Sequence, residues 1–137
     1  MTAYRRKEYE GSIMGKYVVR MVKSGFRFDL KAGNGQIIAS SEGYTTKAAC
    51  LSGIESVKKN ALLAVVEDQT EAGFVKEKHP KFEVCRDKAG EFRFRLKAGN
   101  GQVIAVSEGY GSKGACLTGV KSVRRNAKTD TVIDEGE

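Results

Sequence analysis

A carboxylate, a glycine and a phenol stand together twice in this chain, as Glu42-Gly43-Tyr44 and Glu108-Gly109-Tyr110. Within the stretches 26–61 and 92–127 these are the only carboxylates repeated at identical positions. Two related glutamates could work as a general acid and base, and two tyrosine rings could stack on a ligand. A carboxylate just ahead of a helix is more often a capping or ion-pairing group. A tyrosine at a strand-to-helix corner more often packs its ring and bonds its hydroxyl. Glu42, Tyr44, Glu108 and Tyr110 are therefore candidate ligand corners, with a small-molecule or enzymatic role as the third of three readings.

Other routes to catalysis are poorly supplied. The sole histidine, His79, lies in a connector beside Pro80, so two repeated sites cannot each use it. Cys50, Cys85 and Cys116 form no CxxC pair, which argues against a disulfide framework and a zinc site. Cys50 and Cys116 fall on an apolar helical face, where a thiol behaves as a small hydrophobe. The glycine-rich KAGNGQ phrase is neither a P-loop nor a dinucleotide fingerprint, because its glycines lead into a strand instead of a helix. The expectation is no catalytic residue, no metal and no cofactor.

Charge offers a second surface. The net charge is +7; residues 16–61 carry +5 and residues 81–127 carry +6, offset by −4 over the rest of the chain. Arg93, Arg95 and Lys97 alternate with Phe92, Phe94 and Leu96. Alternate residues of a strand share a face about 7 Å apart, so the cations project together, away from the core. Lys113, Lys121, Arg124 and Arg125 add charge on the following helix. Such a face could meet phosphates without reading bases, making nucleic acid or an acidic protein a candidate partner. A solvated face that keeps the protein soluble is the plainer reading.

The elements that carry these residues follow from a doubled phrase. Phe26–Ala61 aligns with Phe92–Ala127 at an offset of 66, with 25 of 36 positions identical. Two copies are too few for a solenoid, so a pseudo-symmetric pair is expected. Each copy reads as an opening strand, a second alternating strand (Phe26, Phe28, Leu30 against Arg27, Asp29, Lys31) and a return strand. Asn34-Gly35 and Asn100-Gly101 predict type I′ hairpin turns. Thr46 and Ser112 are candidate helix N-caps. Cys50, Ile54, Val57 and Ala61 then recur at helical spacing, as do Cys116, Val120, Val123 and Ala127. Asn60 and Asn126 suggest left-handed caps. Gly53 and Gly119 inside the helices suggest a close approach. A short apolar stretch near Val65-Val66 and Val132-Ile133 predicts a fourth strand. One unit of this size has a marginal core and open edges, and exchanging these last strands would remedy both.

The motifs FRFxLKAxNGQ, SEGY and GxxSVxxNA, with the stretch from Lys81 to Ala127, resemble the YegP-like family of small bacterial proteins. The resemblance covers both repeats. It implies an α+β fold of tandem β(3)-α-β repeats forming one pseudo-two-fold unit. That unit would have an antiparallel sheet, two helices on one face and C-terminal strands swapped between repeats. It implies no biochemical activity. The expected organisation is a disordered extension over 1–13, repeat 1 over 14–70, a connector over 71–80 and repeat 2 over 81–137. No apolar run approaches the ~18 residues of a membrane span, and no signal-peptide pattern opens the chain. The leading expectation is a cytoplasmic, monomeric, non-enzymatic binding or interaction domain. Weak, sequence-nonspecific nucleic-acid binding is the alternative.

Overall fold

Alternation of apolar and polar residues builds strands, and among the described residues it builds eight. The computed structural model describes residues 14–135; the expected extension over 1–13 lies outside them. The strands of repeat 1 are β1 (Lys16–Val22), β2 (Gly25–Lys31), β3 (Ile37–Ser40) and β4 (Val65–Asp68), with helix α1 (Lys47–Leu63) before β4. Repeat 2 gives β5 (Lys81–Arg86), β6 (Phe92–Lys97), β7 (Val103–Val106), helix α2 (Lys113–Asn126) and β8 (Val132–Asp134).

All eight strands form one sheet in the order β4-β5-β6-β7-β3-β2-β1-β8. That order is the same read from either end, as a two-fold pair requires. Each repeat's last strand lies beside the other repeat's first: β4 pairs with β5 and β8 with β1. These two edge pairings are parallel, whereas the inner six strands are antiparallel. The sheet is therefore mixed. A last strand that reaches its partner after a helix arrives running the same way as that partner. At the central seam β3 meets β7 through the single pair Ser40↔Val106, so the exchanged strands and the helices do most of the joining.

The core explains the alternation. Tyr17, Val19, Phe28 and Leu30 share it with Phe82, Val84, Phe94 and Leu96. Cys50, Ile54, Val57 and Ala61 of α1 and Cys116, Val120, Val123 and Ala127 close it from above. Both helices thus cover one face of the sheet. Each also crosses the seam, α1 reaching β7 and α2 reaching β3.

Thr46 and Ser112 are the N-caps, their hydroxyls accepting from the N–H groups of Ala49 and Ala115 at 3.1 Å. Asn60 and Asn126 are not left-handed caps, since no non-glycine residue described has positive φ. Their side chains instead bond back to the Ser56 and Ser122 carbonyls. The hairpin turns also differ from expectation. Only Gly35 and Gly101 have positive φ (87° each), so the turns are not type I′. Gly35 N–H donates to the Ala32 carbonyl and Ala32 N–H to that of Gln36. This is a three-residue loop ending in a left-handed glycine. Asn34 contributes by accepting from the N–H of Gln36, a local asparagine turn.

Candidate functional site

The two phrases written twice meet across the seam. The loop and return strand of one repeat, Ala32 to Ile38, face the Glu108-Gly109-Tyr110 corner of the other, and α2 closes the third side. Between them lies a cleft of about 750 Å³, whose wall on α2 includes Ala115, Gly119, Ser122, Arg125 and Asn126. This volume lies within the roughly 300–1,000 Å³ usual for ligand sites. The two-fold mate is built from Gln102 to Ile104, Glu42 to Tyr44 and α1. It is divided into recesses of about 340 and 560 Å³, the second lined partly by Pro80.

The corners are held by the serine of SEGY. Ser41 and Ser107 are buried; each hydroxyl accepts from the N–H of Phe28 or Phe94 and donates to the carbonyl of Glu42 or Glu108. Tyr44 and Tyr110 exchange paired backbone bonds with Phe26 and Phe92. Their rings stack on Phe28 and Phe94 with centroids 6.4 and 6.3 Å apart. The close approach expected at the helical glycines is made by these phenols. A Cβ on Gly53 would stand 2.3 Å from the Tyr44 Oη, and one on Gly119 2.4 Å from that of Tyr110. Burial raises both phenol pKa values, with Cys50 and Glu42, or Cys116 and Glu108, adding to the shift.

Glu42 and Glu108 are exposed, and neither caps a helix, that task falling to Thr46 and Ser112. Neither forms an ion pair among the described residues. The Cys50 and Cys116 thiols are buried, and burial pushes the latter up to about 11. A neutral thiol is a poor nucleophile. No cluster of three metal-ligating side chains occurs among the described residues.

The seven candidate cations do not form one free surface. Arg93 pairs with Asp87 at 2.6 Å, Arg95 with Glu83 at 2.5 Å and Lys97 with Glu83 at 3.2 Å. Lys113 bridges Asp68 (2.9 Å) and Glu71. Arg124 donates to the Ala64 carbonyl at 2.6 Å and lies over the Phe82 ring. Lys121 and Arg125 are exposed and carry no such pairing among the described residues. Behind the strand cations lies a network the sequence did not suggest. Lys81 Nζ sits 2.7 Å from Glu67 and 3.3 Å from Glu83, all three buried. Burial would raise the Glu67 carboxyl pKa. Hydrogen bonds from Lys81, Gln69 and the Glu77 N–H outweigh it and hold it at about 2. The parallel register that sets Glu67 beside Glu83 joins the two repeats; within either repeat alone nothing announces it.

A mixed eight-stranded sheet with swapped edges and two helices on one face is the YegP type of α+β fold. The solution structure of Escherichia coli yegP, a protein of unknown function, matches with a TM-score of 0.73 at 33% identity, covering 89% of this chain and 93% of that one. A second solution structure, of a UPF0339 protein from Shewanella oneidensis, gives 0.71 at 36% identity, over 88% and 90%. The family model described as a domain of unknown function, DUF1508, matches twice, at residues 23–68 and 87–134. This chain belongs to that family. Among relatives, a UPF0339 protein in the ptx operon 5′ region of Stutzerimonas stutzeri is 40% identical, over 89% of this chain and 97% of its own. A UPF0339 protein of Treponema denticola is 59% identical over 54 residues, 39% of this chain but 93% of its own. That relative has the length of one repeat. Among the described residues, no helix is long and apolar enough to cross a membrane.

Proposed function

We propose that this protein is a non-enzymatic, cytoplasmic binding module, monomeric as the two-repeat unit, whose ligand lies in the cross-repeat cleft along α2. One observation carries this reading. Only at the seam do KAGNGQ of one repeat and SEGY of the other meet, and there they wall a cleft of ligand size. Monomeric action suits a chain whose exchanged strands both find partners within it. The experiment is an NMR titration of the ¹⁵N-labelled full chain with a library of small polar metabolites. Shifts clustered at Gly33–Ile38, Glu108–Tyr110 and the cleft face of α2 support the reading. A library that moves only signals elsewhere removes it.

A second reading, weak and sequence-nonspecific nucleic-acid binding, rests on the +7 charge. Its strength depends on whether the ion pairs hold. Counterion release gives a log–log salt slope of about −0.9 per phosphate neutralised. Seven contacts therefore predict about −6, and Lys121 with Arg125 alone about −2. A slope near −6 would mean that Arg93, Arg95, Lys97 and Lys113 leave their carboxylates for phosphates.

A further inference from the structure

Three cations stand at equivalent places in the two halves, on the sheet face away from the helices. Lys16, Arg27 and Lys31 of repeat 1 answer to Lys81, Arg93 and Lys97 of repeat 2. In repeat 2 each is held by carboxylates: Lys81 by Glu67 and Glu83, Lys97 by Glu83, Arg93 by Asp87. Around repeat 1 the places of Glu67, Glu83 and Asp87 are taken by Ile133, Val18 and Val22. The cations are kept and all three partners are gone. Lys16, Arg27 and Lys31 form no ion pair among the described residues. Arg27 Nε is buried without an acceptor, whereas Arg93 Nε donates to Asp87. A buried donor left unpaired is costly. Lys16 also stands directly opposite Lys31, and Arg20 opposite Arg27, and like charges so placed destabilise a sheet. Asp29, the carboxylate of β2 on this face, is already held by Arg20 and Ser40.

We infer that this face of repeat 1 binds the phosphate backbone of a nucleic-acid duplex through Lys16, Arg27 and Lys31. The inference rests on the nucleic-acid reading above and moves its contacts from repeat 2 to repeat 1. The chemistry of the face selects the occupant. Protein interfaces are depleted of lysine and centred on aromatic and apolar side chains, whereas DNA-binding surfaces are polar and positively charged. Single strands are gripped by stacking their bases on aromatic rings. Here Tyr17, Phe26 and Phe28 all lie on the core side of their strands. A duplex backbone asks only for cations at a suitable spacing. Lys16 and Lys31 form one cross-strand pair, and Arg27 lies four residues along β2 from Lys31, about 14 Å away. That distance covers about four phosphates of one strand of a duplex.

The test follows a labelled duplex of mixed sequence by fluorescence anisotropy as the full chain is added at a series of salt concentrations. Three phosphate contacts give a log–log slope of about −2.7. Lys16→Ala, Arg27→Ala and Lys31→Ala should each reduce it by about 1, and the triple variant should bring it near zero. Val22→Asp, which gives Arg27 the kind of partner that Arg93 has, should act like Arg27→Ala. Arg93→Ala, and Lys121→Ala with Arg125→Ala, should leave the slope unchanged. Circular dichroism of each variant checks that the fold is kept. If the triple variant keeps the slope while Arg93→Ala or the Lys121 and Arg125 pair lowers it, the inference falls and the nucleic-acid reading stands on other residues. A single strand bound more tightly than the duplex would also overturn it. If the native chain leaves the duplex free even at low salt, both fall.

Discussion

The two repeats are alike on the face that meets the helices and unlike on the face that does not. Below the helices, Phe28 and Leu30 answer to Phe94 and Leu96, and Tyr44 against Gly53 answers to Tyr110 against Gly119. On the other face, one row of the sheet runs Glu67, Glu83, Arg95, Val106 in one half and Ile133, Val18, Asp29, Ser40 in the other. Asp29 there accepts from Arg20 and Ser40, where repeat 2 sets Arg95 among carboxylates. A close-packed interior penalises the loss or gain of single methyl groups, so symmetric folding holds the inner face fixed. The other face is covered only in places and must pair the charges it buries. What the difference teaches is that the doubling supplies a scaffold, and that the halves diverge where packing does not bind them.

The largest effect should come from separating the halves. Residues 14–68 alone would lose the strand that borders β1, the partner of β4, and half of the core. The fragment should be unfolded, or self-associate into a two-fold pair that restores the swap, as size-exclusion chromatography with circular dichroism would show. The one-repeat relative from Treponema denticola poses the same question in natural form. A well-folded monomeric fragment would break the comparison at its root.

Next in size is a difference between two lysines at equivalent positions. Lys81 is 5% exposed between Glu67 and Glu83, whereas Lys16 is exposed and forms no ion pair among the described residues. Removing one partner of a buried pair costs about 3–5 kcal/mol, because the remaining charge is stranded. An exposed side chain costs within about 0.5 kcal/mol. Chemical denaturation should therefore separate Lys81→Met from Lys16→Met by several kcal/mol. The same network sets an acid limb. Glu67 is held at about 2 against an ordinary 4.5, so its contribution is full above about pH 4.5 and is lost as pH falls towards 2. Glu67→Gln should flatten stability over that interval, and an unchanged profile would show that the network is not what acid breaks.

Legibility followed the same division. The inner face could be read because alternation and helical spacing are local: Phe26, Phe28, Leu30 and Cys50, Ile54, Val57, Ala61 announce themselves. The caps Thr46 and Ser112 and the exchanged last strands were legible too. The ion pairs of Arg95 and Lys97 were not, because Glu83 lies on another strand and Glu67 on another repeat. The Asn-Gly turns misled because a type I′ turn and a three-residue loop share the dipeptide. They differ in the φ of the asparagine, which neighbouring spacing decides. At the candidate site, the Glu-Gly-Tyr corners stood out by repetition. The facing hairpin, and the place of Asn126 and Arg125 on the cleft wall, depend on packing across the seam, which no local pattern encodes.

Where the halves are alike, equal substitutions should cost the same. Gly53→Ala and Gly119→Ala each force a methyl to within 2.4 Å of a tyrosine hydroxyl whose half-buried ring has little room to turn. Overpacking of this kind costs about 1–3 kcal/mol. The two values should agree within about 0.5 kcal/mol by denaturant titration, despite the different sequences around them. A large disagreement would mean that the inner faces have diverged as well.

The smallest effect concerns how each half locks to the other. Tyr17 on β1 donates its phenol to the Ala127 carbonyl at the end of α2, 2.8 Å away. Phe82, at the equivalent place on β5, has no hydroxyl. There Arg124 lies over the ring and donates to the Ala64 carbonyl. The same task, fastening a first strand to the far repeat, is thus done by two different chemistries. Tyr17→Phe removes one buried hydrogen bond while keeping the ring, so it should cost about 1 kcal/mol. Arg124→Ala should cost about as much through its bond and its ring contact together. The two locks grip strands five steps apart in the sheet, but both hold the last turn of α2, where Arg124 and Ala127 stand three residues apart. Their effects should therefore couple, the double variant departing from additivity by more than about 0.5 kcal/mol. An additive result would mean that the end of α2 passes no strain from one lock to the other, and that the two halves are fastened independently.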